Sequence, residues 1–495
     1  MKLGEKMFRG LAWSSMERLS IQAIQFILGI ILARILTEEQ YGTVGILLIF
    51  IAISKVFIDS GFSQALIQKK NHNLQDENTV FIFNLLLSII CYVILYLGAP
   101  YFAEFYSDNP IHIELPRYLR IIAIILIINA FGAVPLTLVT KELNFKVQTI
   151  INAIASILSG VVAVYLAYDG YGVMALIYQQ IVRALIALVA IYALIKWRPL
   201  WIFSWHSFKD LFRYGSNILI GSVLGVLVNN LSAVFIPKML SVSQFGYYTR
   251  GMQFSDFAFG VVNSTLGRVI FPGLSRVQDD LSRLVGHTRQ IIKLVAILNV
   301  PLFMFLAVLA KPIIVVLLTE RWLPAAPVMQ FFCLARMVTI ISGVNVSLMQ
   351  AIGRTDLILR QQYVKIAVRI GLLVFAFQYG IVYVALAELI STSIHFFINT
   401  YHPGKIMKYG ALKQLWDLKE IFTVGMFASG ITYFTNMFLS LHWFQQNLGE
   451  IIGGVVYLLI CFLIGGIFYL LLCRLLKIRE FKTIINQLKS LINNR

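Results

Sequence analysis

The chain contains a series of long apolar runs that charged residues rarely interrupt. The run from Ile451 to Cys473 has 23 residues and no charged side chain. A bilayer core about 30 Å thick needs roughly 20 apolar helical residues for one crossing, so a run of this length can span a membrane. The whole chain of 495 residues is 59% hydrophobic and 13% charged, with a mean hydropathy of +0.81. This is the composition of a membrane protein.

Breaks at polar, charged, glycine and proline residues divide the chain into fourteen predicted spans. The sequence therefore predicts an all-α integral membrane protein with about 14 transmembrane helices. The approximate limits of the spans are residues 11–35, 41–61, 79–98, 117–139, 147–167, 172–195, 212–236, 245–267, 290–317, 325–350, 361–379, 381–400, 421–440 and 451–473.

Loop charges predict which side of the membrane each loop faces. With an even number of spans, both termini lie on the same side. The loops and termini on that side hold 29 Lys and Arg residues, whereas the opposite loops hold only Arg117, Arg120, Lys238 and Arg321. Cytoplasmic loops are enriched in these residues, so both termini are expected in the cytoplasm. The net charge of +18 is thus an orientation signal, and nucleic acid is not an expected partner because basic clusters interleaved with aromatic residues are missing from the sequence.

An internal repeat relates the two halves of the chain. At a shift of 204 residues, "RILTEEQYG" from Arg34 to Gly42 meets "KMLSVSQFG" from Lys238 to Gly246. Two six-span lobes in the same orientation are expected, related by a pseudo-two-fold axis along the membrane normal. The predicted domains are residues 1–205 for spans 1–6, 206–418 for spans 7–12, 419–474 for spans 13 and 14 after a basic linker, and 475–495 for a basic amphipathic cytoplasmic tail. The tail either lies along the inner membrane surface or only fixes topology.

Cations in the first few residues of a span are counted with the preceding loop, except Arg250. Twelve charged residues then remain inside the predicted spans, eight basic and four acidic. A charge at mid-bilayer costs roughly 3 kcal/mol on the insertion scale, so these side chains are expected to face protein or water. The excess of cations predicts a hydrated central cavity for an anionic ligand, and arginine clusters suit phosphate. The candidate substrate-binding residues are Arg18, Arg183, Arg250, Arg336 and Arg369.

Polar residues at helical spacing around these charges predict the lining of that cavity. The candidates are Gln22, Gln25, Asn229, Gln253 and Asn263. Four titratable residues inside spans are candidate coupling groups for a proton or sodium ion, namely Asp59, Asp256, Glu388 and His395. The alternatives are that the polar stripes only form interhelical hydrogen bonds and that each acid only pairs with a neighbouring arginine. Lys55 and Asp59, four residues apart on span 2, are one such candidate pair.

Catalytic and cofactor motifs are missing from the sequence. It contains no G-x-S-x-G, no Walker A loop, no H-E-x-x-H and no metal-ligand spacing, so no catalytic residue, metal or cofactor is predicted. Without a nucleotide-binding loop, ATP is not expected to drive transport in this chain. The four cysteines lie in apolar runs and are interpreted as packing residues.

Several short motifs resemble those of a known family. They are "FPGLSRVQDD" from Phe271 to Asp280, "MQAIGRTD" from Met349 to Asp356, and "EEQYG" and "SQFGYY" in the repeated loops. Over essentially its whole length the chain resembles the polysaccharide (Wzx-type) lipid-linked oligosaccharide flippases of the multidrug/oligosaccharidyl-lipid/polysaccharide exporter superfamily. The resemblance implies two six-helix lobes around a cationic cavity and alternating access. It also implies a substrate, an undecaprenyl-diphosphate-linked glycan moved to the outer leaflet of the bacterial inner membrane.

Two other functions stay open. A multidrug/cation antiporter of the same fold is expected to have an acidic cavity, and the cation excess in the spans argues against it. A membrane polysaccharide polymerase or ligase is expected to have a large outer loop, and the short outer loops argue against it. Membrane lipids and the polysaccharide polymerase machinery are the further partners that this interpretation suggests. One departure from the drug exporters is that Glu17 lies beside Arg18 in the first span, where those proteins have a lone acid.

Overall fold

The computed structural model describes residues 20–59, 61–69, 72–142, 144–212, 219, 223, 225–226, 230–275, 280–482 and 486. Within this part of the chain every regular element is a helix. The chain forms two compact units, Met1–Gly246 and Tyr247–Arg495. The boundary between lobes that the sequence predicts after residue 205 stays a prediction.

The first unit is built from helices that follow one another with short connections. In chain order they are α1 (Ser20–Ile35), α2 (Glu38–Asp59), α3 (Phe62–Gln68), α4 (Leu74–Glu104), α5 (Leu115–Ile122), α6 (Ile124–Lys141), α7 (Phe145–Tyr168), α8 (Val173–Leu194) and, beyond a helical stretch at residues 205–212, α9 (Leu231–Met239). Helix α10 (Val242–Ser275) begins in this unit and continues in the second.

The second unit continues in the same way. Its further helices are α11 (Leu281–Val308), α12 (Ala310–Leu317), α13 (Ala325–Ala351), α14 (Thr355–Ala376), α15 (Ile381–Met407), α16 (Ala411–Phe438), α17 (Leu441–Leu448) and α18 (Glu450–Leu475). Packing within the unit joins α13 to α15, α11 to α13 and α16, and α14 to α15.

Nine helical segments in the described part of the chain are long and apolar enough to cross a membrane, and the bent pair α16 and α17 makes a tenth. Helices α10 and α14 coincide with predicted spans but carry more polar residues. Predicted span 7 falls largely on residues outside the described part, and so does the start of span 1. The count of fourteen spans therefore stays a prediction.

The basic segment from Tyr401 to Glu420, predicted to be a linker, is mostly helical. Helix α15 runs to Met407 and α16 begins at Ala411, so only residues 408–410 connect them. Lys408 adopts a left-handed backbone conformation with φ of 53° at the end of α15. Charged residues were interpreted as the end of each span, but a helix continues past the apolar core of a membrane because its backbone hydrogen bonds stay internal.

The N-terminal end of α4 binds the segment of chain that follows α8. Asn73 and Asp76 form a capping box at the start of α4, where each side chain accepts a hydrogen bond from the backbone N–H of the other, at 2.8 and 3.1 Å. The next residues bind the segment 197–204. Trp197 Nε1 donates to Glu77 at 2.7 Å, and the amides of Leu200 and Ser204 donate to the side chains of Asn78 and Thr79. These contacts fix the path of the chain between α8 and residue 205.

The two copies of the repeated loop motif touch each other inside the first unit. A Cβ atom added to Gly42 would collide with the backbone carbonyl oxygen of Val242, and one added to Gly246 would collide with the carbonyl oxygen of Glu38. At the shift of 204 residues, Gly246 corresponds to Gly42 and Val242 to Glu38. The glycine of each motif therefore packs against the equivalent backbone carbonyl group of the other motif. A two-fold axis produces reciprocal contacts of this kind.

Candidate functional site

Arg183 lies on α8 and is half-buried in the first unit. Gln25 of α1 is a polar partner of its guanidinium. With the amide of Gln25 turned so that its oxygen faces the guanidinium, that oxygen accepts hydrogen bonds from Nη1 at 2.5 Å and from Nη2 at 3.0 Å. A neutral amide accepts hydrogen bonds from the guanidinium but does not neutralise its positive charge. Gln25 and Arg183 were both predicted site residues, and the structure brings them together.

A cavity of about 350 Å³ opens beside Arg183. Its polar lining consists of Lys55, Asn129, Asn152, Gln180 and Arg183, and apolar residues of α6 and α8 complete the wall. Among the described residues that line the cavity, two are cations and none is a carboxylate. Because amides and cations are hydrogen-bond donors and the wall is otherwise apolar, the cavity favours an anion.

Asn129, Asn152 and Gln180 are not among the lining residues that the sequence predicts. They lie on three different helices, α6, α7 and α8, so no spacing along one helix joins them. Their position inside apolar runs was the only available signal. Asp59, predicted as a coupling group, is half-buried at the last position of α2 and does not line the cavity, whereas Lys55 on the same helix does.

In the second unit Arg336 forms an ion pair across two helices. Its Nε lies 2.5 Å from Oδ1 of Asp256, which joins α13 to α10. The guanidinium also lies 5.3 Å from the ring centroid of Phe259 and 5.5 Å from that of Phe332. A carboxylate and two aromatic faces therefore stabilise this charge inside the helix bundle.

Two further predicted residues lie on α10, one and two turns before Asp256. Arg250 is buried and donates from Nη1 to Oε1 of Gln253. Asn263, two turns beyond Asp256, is exposed. The spacing of three residues places Arg250, Gln253 and Asp256 on the same face of the helix. Burial thus decreases along this helix, from the buried Arg250 through the half-buried Gln253 and Asp256 to the exposed Asn263.

A second ion pair links α14 to α15. Arg369 Nη2 lies 3.2 Å from Oε2 of Glu388, and the two side chains are 19% and 9% exposed. About two turns further along α15, His395 Nε2 lies 3.1 Å from the carbonyl oxygen of Lys365 and 3.2 Å from Oγ of Ser391. A carbonyl oxygen only accepts, so Nε2 carries a proton in this arrangement and donates it to Lys365 O.

Lys365 is a buried cation that the sequence analysis counted with a cytoplasmic loop. It lies on α14 one turn before Arg369 and is only 9% exposed. Among the described residues no side chain forms an ion pair or hydrogen bond with its Nζ. The spacing of four residues from Arg369 was the signal that could have placed it in the same cluster. Lys365, Arg369, Glu388 and His395 form what we term the α14–α15 cluster.

The remaining predicted residues are accounted for as follows. Gln22 is half-buried on α1. Arg18 and Asn229 lie outside the described residues. No group of three or more His, Cys, Asp or Glu side chains in the described part of the chain is arranged to hold a metal ion.

The two units differ in how their mid-span arginines are neutralised. In the second unit, Arg336 and Arg369 each pair with an acid that was predicted as a coupling group. In the first unit, Arg183 has an amide partner and faces a cavity lined by another cation. The charge of Arg183 is therefore less neutralised by its described partner than the charges of Arg336 and Arg369, which pair with carboxylates.

Comparison with known proteins decides the family. A family model described as polysaccharide biosynthesis protein matches residues 31–327, more than half of the chain. The chain belongs to this polysaccharide biosynthesis family. The match includes α8 with Arg183 and α10 with Asp256, and it confirms the family resemblance predicted from the short motifs.

Two relatives illustrate the range of the family. The succinoglycan biosynthesis transport protein ExoT of Rhizobium meliloti is 26% identical over 328 residues, which are 66% of this chain and 66% of that protein. The teichuronic acid biosynthesis protein TuaB of Bacillus subtilis is 22% identical over 464 residues, 92% of this chain and 95% of that protein.

Solved structures establish the fold of this family member. The lipid II flippase MurJ in an inward closed conformation is similar with a TM-score of 0.74 at 16% identity, over 97% of this chain and all of that one. An inward-facing multidrug resistance MATE transporter of the MOP superfamily has a TM-score of 0.60 at 16% identity, over 83% of this chain and 98% of that one. The predicted all-α membrane fold is confirmed.

Proposed function

We propose that this protein is a flippase for a lipid-linked oligosaccharide. It moves an undecaprenyl-diphosphate-linked repeat unit from the inner to the outer leaflet of the bacterial cytoplasmic membrane by alternating access, with both termini in the cytoplasm and with lobes formed by residues 1–205 and 206–418. The family match, the transport role in the name of ExoT and the flippase fold support this proposal. O-antigen, capsule and exopolysaccharide units are the substrate classes.

The observation that carries the proposal is the cavity beside Arg183. A lipid-linked oligosaccharide joins a diphosphate to sugars, so its polar part needs cations and amide groups in one place. Arg183 and Lys55 supply the cations, while Asn129, Asn152 and Gln180 supply amides that can bind hydroxyl groups. A cation antiporter needs the opposite polarity, since a cationic drug is stabilised by carboxylates.

The ion pairs of the second unit fit a transport cycle in which a diphosphate competes with an acid. Arg336 and Arg369 each pair with a carboxylate through one guanidinium nitrogen. A phosphate group can accept hydrogen bonds from the same N–H groups. In the proposed cycle the diphosphate replaces Asp256 on Arg336 or Glu388 on Arg369. The released acid is then able to bind a proton or sodium ion, which is the proposed link between substrate movement and an ion gradient.

A reconstituted flipping assay tests the proposal. Vesicles containing the purified protein are loaded with a fluorescent undecaprenyl-diphosphate-linked disaccharide, and dithionite quenches only the outer leaflet. The parent protein should let dithionite reach nearly all of the probe, whereas Arg183→Gln should slow this exchange by about tenfold or more, since one charged hydrogen-bonding partner of the diphosphate is lost.

Arg117→Gln is the matched control, because Arg117 lies in the same unit but is 69% exposed and paired only with Glu114. It should flip the probe at the parental rate. A parent protein that exchanges a cationic dye but not the disaccharide probe would instead favour the antiporter. Parental rates in Arg183→Gln would remove Arg183 from the substrate site.

A further inference from the structure

A second cationic pocket lies in the second unit, away from the candidate site. It has a volume of about 380 Å³ and is lined by Gly286, Arg289, Gln290, Lys293 and Leu294 of α11 together with Arg479 and Glu480, which follow α18. None of these residues belongs to the candidate site. The pocket is found where the polar start of α11 gives way to its apolar part after Lys293.

Structural ion pairs hold the walls of the pocket in place. Lys293 Nζ lies 3.2 Å from Oε1 of Glu480 and joins α11 to the chain that follows α18. Arg289 pairs through Nη2 with Asp417 of α16. Tyr409 also donates to this carboxylate, at 3.0 Å. The pocket is therefore lined by two segments of the chain, and a third segment, which includes Asp417, holds Arg289 in place.

The charges of the pocket leave an excess of cations. Among the described lining residues, Arg289, Lys293 and Arg479 are cations and Glu480 is the acid, whose carboxylate is bound to Lys293. A second acid, Asp417, pairs with Arg289 beside the pocket. Asp417 contacts one nitrogen of Arg289, Nη2. A guanidinium group has five N–H donors in total, and the ammonium group of a lysine has three. Donors on both cations thus stay available after the ion pairs are made.

Gly286 keeps one side of the pocket open. A Cβ atom added to this residue would meet nothing within 4 Å. Glycine is unfavourable inside a helix by roughly 0.5–1 kcal/mol relative to alanine, so its presence here has to be explained by something other than helix stability. An open pocket wall is such an explanation, because any side chain at this position would project into the space.

We propose that this pocket binds a phosphate-bearing anion of the class found in anionic phospholipid headgroups. Guanidinium groups match the geometry of phosphate oxygens, and small-molecule sites typically enclose about 300–1,000 Å³, so a volume of 380 Å³ accepts a phosphate together with its headgroup. Loop charges predict that this end of α11 faces the cytoplasm, and basic pockets between helices on that side bind anionic headgroups. Free inorganic phosphate has the same binding chemistry.

Ligand-induced stabilisation of the full-length protein in neutral detergent tests the proposal. Dihexanoyl phosphatidylglycerol should raise the unfolding midpoint in a saturable manner, and dihexanoyl phosphatidylcholine should not, because a ligand stabilises only the state that binds it. Arg479→Gln should weaken the apparent affinity for phosphatidylglycerol by about tenfold, since it removes a charged donor of the pocket. Gly286→Leu should do the same by filling the space.

Arg283→Gln is the control, because Arg283 lies on the same helix but is 76% exposed, pairs with Asp280 and does not line the pocket. Its response to phosphatidylglycerol should equal that of the parent. If inorganic phosphate competes with phosphatidylglycerol, the pocket binds free phosphate as well as the headgroup. If inorganic phosphate does not compete, the pocket binds the lipid headgroup. The proposal is overturned if both lipids act equally, or if Arg479→Gln and Gly286→Leu both respond like the parent.

Discussion

Arg336 and Asp256 lie 80 residues apart in the chain and form an ion pair with an Nε–Oδ1 distance of 2.5 Å. Each was predicted to have a separate role, Arg336 in binding substrate and Asp256 in coupling to an ion. Their contact makes the two roles dependent on each other, because a ligand that takes the arginine also frees the carboxylate.

Removing only one charge of this ion pair should lower the free energy of unfolding more than removing both charges does. Arg336→Gln should lower the free energy of unfolding by roughly 1–2 kcal/mol, less than for a fully buried pair because Asp256 is 38% exposed. Arg336→Gln combined with Asp256→Asn should recover part of this loss, since no unpaired charge is left. Unfolding midpoints of the three variants in detergent measure the coupling. A double variant as unstable as the sum of the single variants would show that the charges do not interact.

Lys365 should reduce stability and support transport. A buried charge without a partner is unfavourable, so Lys365→Met should raise the free energy of unfolding by about 1 kcal/mol or more. A charge kept inside a membrane at such a cost points to a function, and the same variant should slow flipping of the diphosphate-linked probe. Lys311→Met, at an exposed position of α12, serves as the control and should change neither quantity. A stable Lys365→Met protein with parental flipping would make the lysine dispensable.

The proposed ion coupling predicts an effect of neutral acid variants. Moving one elementary charge through 100 mV supplies about 2.3 kcal/mol, which is enough to bias an alternating-access equilibrium roughly fifty-fold. Glu388→Gln and Asp256→Asn keep the side-chain shape and remove titration. At least one of them should still bind substrate while its flipping rate no longer responds to an imposed proton or sodium gradient. If both respond like the parent, the coupling group is Asp59 or His395, or transport runs downhill.

The reciprocal glycine contacts predict matched sensitivity at two distant positions. Gly42→Ala and Gly246→Ala each place a Cβ atom against a backbone carbonyl oxygen, which cannot move aside as a side chain can. Each should lower the unfolding free energy by about 1–3 kcal/mol, as overpacking does. Gly343→Ala, where a Cβ meets nothing within 4 Å, should be neutral or stabilising. Equal midpoints for the three variants would mean that the motifs do not pack tightly.

The predicted topology can be tested with single cysteines in a protein that lacks the four native ones. Cysteines at Lys209, Arg283 and Lys413 should be shielded from an impermeant thiol reagent in intact cells, because the loop charges place them in the cytoplasm. Cysteines at Asp108 and Glu320 should react. All five positions are exposed, so accessibility to the reagent depends on the side of the membrane. Labelling of the first set in intact cells would reverse the orientation.

Sequence patterns predicted the fold because its signals are local. An apolar run as long as Ile451 to Cys473 leaves few alternatives to a spanning helix, and α18 extends over Glu450–Leu475 as expected. Helix ends were less predictable, because the charges of the segment from Tyr401 to Glu420 mark the edge of the apolar region and not the end of a helix. A left-handed residue such as Lys408 ends α15, and its sequence carries no sign of this.

The composition of the candidate site is harder to predict from the sequence, because it depends on contacts between helices. The sequence identified Arg183, Gln25, Arg336 and Asp256 as unusual residues in apolar surroundings, but their partners depend on how the helices pack. Lys365 was assigned to a loop because it lies near the start of a predicted span, and only the position of α15 beside α14 shows that it is buried. The amides around Arg183 come from three helices, so no single periodicity predicts them as a group.

The exchange of glycines between the two loop motifs has an evolutionary consequence. In a symmetric homodimer, residue i of one subunit contacts residue j of the other and the reverse contact also occurs. Gly42 with Val242 and Gly246 with Glu38 preserve that rule within a single chain. Two identical copies of a shorter chain would make this same contact across a two-fold axis, so the contact is the one expected after gene duplication and fusion. The two motifs differ at the contacting positions Glu38 and Val242, while both have the glycine.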